Sequence, residues 1–236
     1  MPSRLRPSMP MKVIAVIPAY NEAARLAPVL SRVKGLVDEV VVVDDGSSDD
    51  TFEAAKTAGV VALRHAINRG QGAALKTGTI SALSRGADVI VHVDGDGQHD
   101  PEGITALALP IVRGEADVVY GSRFLGIASE GMPASRRALL LAGRVFSAFA
   151  LGIPRTFTDP QSGLRAMSAE AARRVTFTQD RKAHCSELLR AVSRSGLRVI
   201  EVPTRITYTR ETLAKGNKTV DAFHIAWQLL LGAFQK

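Results

Sequence analysis

Asp94, Asp96 and Gln98 are the residues of this chain whose types and spacing most clearly indicate chemistry. They directly follow an apolar run at residues 89–93, which is typical of a buried strand. Side chains two residues apart on an extended backbone share a face, so the two carboxylates and the amide can point the same way. Such oxygen ligands suit Mg²⁺ or Mn²⁺, which bind through carboxylates and substrate phosphates. The segment predicts a metal held against a diphosphate, although Asp-Gly pairs also form ordinary turns.

Alternating strand and helix patterns position this segment. Near-continuous Val/Ile runs predict parallel strands that are buried on both faces, with helical segments between them. The predicted strands are Val13–Ile17, Glu39–Val43, Val60–Arg64, Asp88–Val93 and Asp117–Tyr120, and the predicted helices span 23–34, 50–58, 70–84 and 101–113. This alternation predicts an α/β fold, a doubly wound and mostly parallel sheet flanked by helices. Ligands of such sheets bind at the carboxyl ends of the strands.

Length and composition indicate a soluble globular protein of one or two domains. The 236 residues are 46% apolar and 22% charged. The single cysteine, Cys185, excludes an intrachain disulfide and a cysteine metal cluster. No apolar stretch is long enough for a transmembrane helix, and the apolar residues after Lys12 are too few for a signal peptide. We therefore expect a cytoplasmic protein.

The charge is unevenly distributed along the chain. Residues 1–120 hold 12 Lys and Arg against 15 Asp and Glu, whereas residues 121–236 hold 18 against 8. A basic second half indicates an anionic partner. Aromatic residues are only 5% of the chain, and no zinc finger or RNA-binding aromatic signature occurs, so nucleic acid is not the expected partner. A phosphorylated substrate or an anionic membrane surface fits better.

Three loops at predicted strand ends carry a resemblance to a known family. They are Pro-Ala-Tyr-Asn-Glu at 18–22, Asp-Asp-Gly-Ser-Ser-Asp at 44–49, and Asp-Gly-Asp-Gly-Gln-His-Asp-Pro at 94–101. In this order they resemble the family 2 inverting glycosyltransferases with a GT-A fold. The third loop is similar to that of dolichyl-phosphate mannose synthases and polyprenyl-phosphate glycosyltransferases. Similar elements at 121–123, 135–137, 159–165 and 201–218 extend the resemblance to about residues 11–220, although Leu164 and Asn217 replace the family's Phe and Ser.

The resemblance implies that the first half binds a nucleotide sugar. The residues expected to bind it are Pro18, Tyr20 and Glu22 around the base and ribose, Asp44 at the base edge, Lys76 at the diphosphate, and Asp94. Asp96 and Gln98 are the first choices as ligands of Mg²⁺ or Mn²⁺, and Asp96 is expected to be catalytic. Asp94 is expected to bind either the metal or the ribose. Asp45 and Ser47 either contact the ligand or only shape their turn. Gly70 and Gly72 either offer N–H groups to a phosphate or simply begin a helix.

The resemblance also implies a polyprenyl-phosphate acceptor for the basic half. An ionised phosphate needs little or no general base, so the protein has mainly to hold it, which arginine does bidentately. The residues expected to hold it are Arg123, Ser135, Arg137, Arg210 and Lys218. Arg123 and Asp159 are also expected to be catalytic. Asp159 would orient the acceptor, act as a base if the acceptor is a hydroxyl, or merely cap the loop before Pro160.

We expect three segments. Residues 1–10 are a predicted disordered leader, residues 11–218 the catalytic domain, and residues 219–236 an amphipathic helix. The domain divides into a nucleotide-sugar half, 11–121, and an acceptor half, 122–218. Residues 121–137 are predicted to form a mobile lid, followed by an apolar helix at 139–151. The terminal helix packs on the domain or lies in the membrane interface, so peripheral contact with the cytoplasmic face is expected.

The hypothesis from sequence is a metal-dependent inverting glycosyltransferase. It would move a sugar from GDP-mannose or a UDP-hexose to a polyprenyl or dolichyl phosphate. One alternative is the same donor chemistry with a soluble acceptor, and another is a non-catalytic nucleotide-sugar-binding protein. A nucleotidyltransferase is disfavoured because the first loop lacks the expected glycine-rich, arginine-containing sequence. A dehydrogenase is disfavoured because no G-x-G-x-x-G follows the first strand. The oligomeric state cannot be predicted.

Overall fold

The computed structural model describes residues 11–95, 97, 100, 102–126, 132–150, 153–154, 156–160, 162–181 and 184–206. The strands are β1 Val13–Ala19, β2 Glu39–Asp44, β3 Val61–Arg64, β4 Val89–His92, β5 Val118–Ser122, β6 Arg165–Ser168 and β7 Val199–Pro203. The helices are α1 Ala23–Val33, α2 Thr51–Thr57, α3 Gln71–Ser84, α4 Glu102–Val112, α5 Ala134–Ala150, α6 Ala169–Arg174 and α7 His184–Arg194.

All seven strands form one sheet in the order β3-β2-β1-β4-β6-β5-β7. Among the strands of the described residues, only β6 runs antiparallel to its neighbours, β4 and β5, and the other pairs are parallel. Because alternate residues of a strand face opposite sides, β1 contributes Ile14 and Val16 to one core and Ala15 and Ile17 to the other. The predicted, mostly parallel α/β sheet is confirmed, and its carboxyl-end edge gathers the loops described below.

Gly78 allows α3 to approach the sheet closely. A Cβ atom on Gly78 would lie 2.3 Å from Cγ1 of Val16 and 3.2 Å from Cγ2 of Val43. Any larger residue would push α3 away from β1 and β2. The first residues of α3 are thereby held near the ends of these strands, where ligands of such sheets bind.

The five predicted strands are confirmed within one or two residues at each end, and the helix predicted at 139–151 is confirmed as part of α5. The bounds predicted for the lid are wrong. The predicted lid at 121–137 includes the first turn of α5, which begins at Ala134 rather than at Leu139. Alanine and arginine are good helix formers, and Pro133 immediately precedes the helix, where a proline is tolerated. Within the part of the chain that the structure describes, no helix is both long and apolar enough to span a membrane.

Candidate functional site

Hydrogen bonds join the loops after β1 and β2 into one unit. The Ser47 hydroxyl accepts the N–H of Asn21 at 2.9 Å, and the Asn21 side-chain oxygen accepts the N–H of Ser48 at 3.0 Å. Asn21 adopts a left-handed conformation with φ of +53°, which asparagine tolerates better than most residues. Asp44 accepts the N–H of Ser47 at 3.0 Å. Ser47 therefore shapes the turn and also fixes the first loop against the second.

Three residues predicted to bind the base and ribose lie on this unit or beside it. Pro18 is buried, whereas the Tyr20 side chain is 47% exposed and so accessible to a ligand. Glu22 is half-buried, and its carboxylate lies 2.9 Å from Nη1 of Arg25. The exposed ring of Tyr20 beside a rigid turn is suited to stacking on a planar base.

The two adjacent aspartates after β2 have different surroundings. Asp44 is fully buried, and its Oδ2 lies 3.1 Å from Nε of Arg64. Asp45 accepts from Nδ1 of His65 at 2.7 Å, and from the N–H groups of Arg69 at 3.0 Å and Gly70 at 2.6 Å. Asp45 therefore holds the β3–α3 loop. Asp44 remains the candidate for a ligand contact.

The first turn of α3 packs against protein atoms. The Gly70 N–H donates to Asp45, and the Ala73 N–H donates to the Asp180 carbonyl at 3.2 Å. A Cβ atom on Gly72 would lie 2.3 Å from the Gln179 carbonyl oxygen. These glycines permit close packing, which explains them without a phosphate. Lys76, one turn further along α3, is exposed.

Asp94 lies just beyond β4, where backbone and side chains from several elements converge. Its Oδ1 accepts from Nε2 of Gln71 at 2.8 Å. A Cβ atom on Gly163 would lie 2.8 Å from Asp94 Oδ2, and one on Gly95 would lie 3.0 Å from the Pro18 carbonyl oxygen. The surroundings thus restrict the carboxylate to a narrow range of positions at the carboxyl end of the sheet.

Of the three predicted metal ligands, only Asp94 lies among the described residues. Asp96 and Gln98 lie outside them, whereas Asp94 presents the oxygen chemistry that Mg²⁺ and Mn²⁺ prefer. Among the residues that are described, no three His, Cys, Asp or Glu side chains cluster as a metal site. Asp94 fits a metal as one ligand of a set that the other two would complete.

Replacing Gln71 with methionine is expected to raise the KM for the nucleotide sugar predicted from the sequence about tenfold and to change kcat less. The substitution removes the hydrogen bond by which Gln71 orients the Asp94 carboxylate. A hydrogen bond to a charged group contributes about 1.5–3 kcal/mol. Steady-state kinetics at saturating acceptor measure the change. Ser84→Ala at the opposite end of α3 is the control. Equal KM values for Gln71→Met and the unaltered protein would show that Asp94 needs no such support.

Arg123 and Asp159 form a bidentate ion pair at the other side of the site. Nε of Arg123 lies 2.5 Å from Oδ2 of Asp159, and Nη2 lies 2.6 Å from Oδ1. Both side chains are almost fully buried. Glu201 on β7 accepts the N–H groups of Thr158 at 2.8 Å and Asp159 at 2.9 Å. The strand thus fixes the Asp159 backbone, and the carboxylate fixes the guanidinium.

The structure describes only some of the other residues that were predicted to bind the acceptor. Arg137 is exposed in the first turn of α5. The side chain of Ser135 and all of Arg210 and Lys218 lie outside the described residues.

Sequence reasoning missed a buried polar network beside Asp94. Arg165 is fully buried, and its Nε donates to Nδ1 of His92 at 3.0 Å. His92 Nε2 lies 2.9 Å from the Thr79 hydroxyl. Burial, and then the nearby Arg165 charge, lower the pKa of His92 well below its usual value, so the imidazole is neutral. The signals in the sequence were a histidine within an otherwise apolar strand and Arg165 at the end of the element at 159–165.

The sequence of residues 14–175 matches the model of the family described as glycosyl transferase family 2. The chain belongs to glycosyltransferase family 2. Relatives in this family include the UDP-N-acetylglucosamine–dolichyl-phosphate N-acetylglucosaminyltransferase of Methanococcus voltae, which is 32% identical over 93% of this chain and 95% of its own. The undecaprenyl-phosphate mannosyltransferase of Micrococcus luteus is 35% identical over 87% of this chain and 86% of its own. This family 2 member is therefore a glycosyltransferase, which sets aside the non-catalytic alternative.

Solved structures support the same fold. Glucosyl-3-phosphoglycerate synthase of Mycobacterium tuberculosis, in complex with Mn²⁺, uridine-diphosphate-glucose and phosphoglyceric acid, superimposes with a TM-score of 0.72 at 20% identity. The match covers 96% of this family 2 chain and 83% of the other. The predicted GT-A fold is confirmed.

Proposed function

We propose that this glycosyltransferase moves a sugar from a nucleotide sugar to a polyprenyl phosphate, with inversion and with Mg²⁺ or Mn²⁺ bound. The observation that carries the proposal is the bidentate pairing of Asp159 with Arg123. Both carboxylate oxygens accept from the guanidinium, so neither is directed at a substrate hydroxyl as a general base must be. A phosphate acceptor, already ionised, needs no such base.

The donor is proposed to bind over β1, β2 and β4. Tyr20 would stack on the base, Asp44 would accept from its edge, and Pro18 and Glu22 would line the pocket. Lys76 would approach the diphosphate from α3. One of the relatives described above is named for UDP-N-acetylglucosamine, a donor that carries a nucleoside diphosphate, and the other for mannosyl transfer.

A divalent cation would be held by Asp94, Asp96 and Gln98. It would supply a Lewis acid that neutralises charge on the leaving diphosphate. Gln71 orients Asp94, and Gly163 leaves the space in which that carboxylate lies. The chain's own task is to hold the donor with its anomeric carbon facing the acceptor, so that one direct displacement inverts the configuration.

Arg123 is proposed to place the acceptor phosphate. Asp159 holds the guanidinium plane, so a phosphate arriving at Arg123 meets a donor whose orientation is already fixed. Ser135, Arg137, Arg210 and Lys218 are proposed to add further contacts. The excess of basic residues in the second half supports an anionic acceptor.

The α5 helix carries an exposed apolar stripe suited to a lipid surface. Leu141, Val145 and Phe149 recur every fourth residue and are 42%, 57% and 73% exposed. Side chains at this spacing lie on one helix face. Arg137, exposed one turn before the stripe, adds positive charge that would favour anionic lipids. The family 2 relatives named for lipid phosphates support placing this face against a membrane.

Replacing Val145 and Phe149 with aspartate is expected to weaken binding to vesicles that contain anionic lipid by about tenfold or more, because apolar contact is lost and like charge is added. Vesicle co-sedimentation measures the change. Ile80→Asp is the matched control, since Ile80 is 60% exposed on α3. Equal losses in both variants would show that α5 has no special contact with lipid.

The acceptor proposal is tested by comparing three acceptors. They are a short polyprenyl phosphate, the same polyprenol without its phosphate, and a soluble phosphorylated acid. We expect transfer to the first alone. Transfer to the polyprenol would contradict the proposed phosphate nucleophile, and transfer only to the soluble acid would establish the soluble-acceptor alternative.

A further inference from the structure

Cys185 lies in the first turn of α7, where three features of its surroundings favour a thiolate. The helix runs from His184 to Arg194, and the amino end of a helix favours negative charge. The Cys185 sulfur lies 3.4 Å from Nε2 of His184 and 3.9 Å from Nη1 of Arg165. Cys185 itself is partly exposed. A sulfur at this position is polarised by its neighbours, in a residue that is not fully buried.

His184 is oriented to take the thiol proton. Its Nδ1 lies 2.9 Å from the Arg181 carbonyl oxygen, which can only accept, so Nδ1 carries a proton. Nε2 is then the basic nitrogen, and it faces the sulfur. Transfer of the proton gives an imidazolium beside a thiolate, the arrangement that activates cysteine nucleophiles.

Arg165 supplies a second and independent reason for an anion here. The guanidinium is fully buried, and among the described residues its Nη2 has no hydrogen-bond partner. Its Nε donates to the neutral His92, and its Nη1 lies near the Cys185 sulfur. A buried cation is costly unless anions lie close to it, and a thiolate at Cys185 would add one beside Arg165.

Some groups around the sulfur raise the pKa of the Cys185 thiol and others lower it. Burial is the largest effect and raises the pKa of the Cys185 thiol, but the charge and hydrogen bond of His184, with the Arg165 charge, lower it to about 6. Asp94 raises the same pKa through its charge. The two residues are linked through Arg165, which contacts the sulfur and donates to His92, two residues before Asp94. On the β5 side, the buried Tyr120 hydroxyl remains protonated because burial raises its pKa far above neutral.

We propose that Cys185 is a reactive thiolate that forms a mixed disulfide with low-molecular-weight disulfides, and that the adduct obstructs the nucleotide-sugar site at Asp94. The thiolate attacks one sulfur of the disulfide, the sulfur–sulfur bond breaks, and the other half leaves as a thiolate. The chain has no second cysteine to resolve the adduct, so only an external thiol reverses it. The effect on the donor site rests on the function proposed above, whereas the thiol reactivity does not.

The first test is the pH profile of the reaction with an aromatic disulfide that releases a coloured thiolate. One equivalent per chain reports Cys185 alone, since no other cysteine is present. We expect a midpoint near 6, and in His184→Gln a midpoint displaced towards about 8.5, the value of an ordinary thiol. His65→Gln, a change at a histidine bound to Asp45, should keep the low midpoint. The midpoint of the pH profile is measured rather than the rate at one pH. A thiol of lower pKa forms more thiolate, but that thiolate is less nucleophilic, and the two effects partly cancel in the rate. A midpoint above 8 in the unaltered protein would overturn the proposal.

The second test uses glutathione disulfide and binding of UDP or GDP with Mn²⁺ by calorimetry. We expect an adduct of one glutathione by mass, at least tenfold weaker nucleotide binding, and recovery with dithiothreitol. Cys185→Ser should form no adduct and bind nucleotide equally well before and after treatment. Unchanged binding by the adduct would overturn the proposed obstruction. If the untreated protein binds neither nucleotide, the donor assignment and the obstruction both fail, while the pH midpoint still decides the reactivity.

Discussion

Asp94→Asn is expected to lower kcat/KM for sugar transfer by about 100-fold to 1,000-fold. The substitution keeps the size of the side chain and can still accept from Gln71, but it removes the negative charge. A preorganised charge at a reacting diphosphate is worth about 3–4 kcal/mol, which corresponds to this loss. Transfer of labelled sugar under saturating metal measures it, and the free energy of unfolding should change little.

Asp88→Asn is the matched control for this prediction. Asp88 lies at the amino end of the same strand, is exposed, and accepts the N–H of Lys12 at 2.8 Å. The same chemical change there should leave transfer nearly unaltered, because the ligand site is at the other end of β4. If Asp94→Asn transfers sugar as fast as Asp88→Asn, Asp94 has no part in binding the donor or its metal.

Asp159→Asn is expected to lower the free energy of unfolding by about 3 kcal/mol and to reduce transfer as well. Removing one partner of a buried ion pair leaves the other charge uncompensated, and both side chains here are nearly inaccessible. Denaturant unfolding measures the stability. The control is Asp117→Asn, because Asp117 forms a similar bidentate pair with Arg198 at an exposed position and should cost much less.

A double variant separates the structural role of this pair from its role in transfer. Arg123→Met with Asp159→Leu replaces both charges by apolar groups, which should recover much of the lost stability. Transfer should stay low, because no guanidinium remains to hold the acceptor phosphate. Recovery of transfer together with stability would show that the pair only supports the fold.

The first half of the fold could be predicted because its signals are local. Continuous Val/Ile runs such as Val40–Val43 require burial on both faces, and the polar residues that follow each run mark strand ends. The pattern weakens in the second half. β6 is short and begins with the buried Arg165, and the described residues give it antiparallel neighbours that periodicity alone cannot indicate.

The site shows the same division between local and long-range information. Residue types at the ends of β2 and β4 indicated a candidate ligand site, and the structure places these strand ends at the same edge of the sheet. Sequence could not predict that Asp45 is occupied by the β3–α3 loop, or that Gln71 reaches Asp94, because each contact joins residues more than 20 positions apart. Likewise, Arg123 and Asp159 were each predicted to meet the acceptor, yet their 36-residue separation concealed that they bind each other.

Sugar transfer to lipid tests the central proposal most directly. The protein is incubated with Mn²⁺ or Mg²⁺, a panel of labelled nucleotide sugars and a short polyprenyl phosphate, and label is followed into the organic phase. We predict metal-dependent lipid product from one donor, lost in Asp94→Asn and retained in Asp88→Asn. Slow hydrolysis of a donor without lipid product would contradict the acceptor assignment, and no turnover or binding of any nucleotide sugar would contradict the donor site itself.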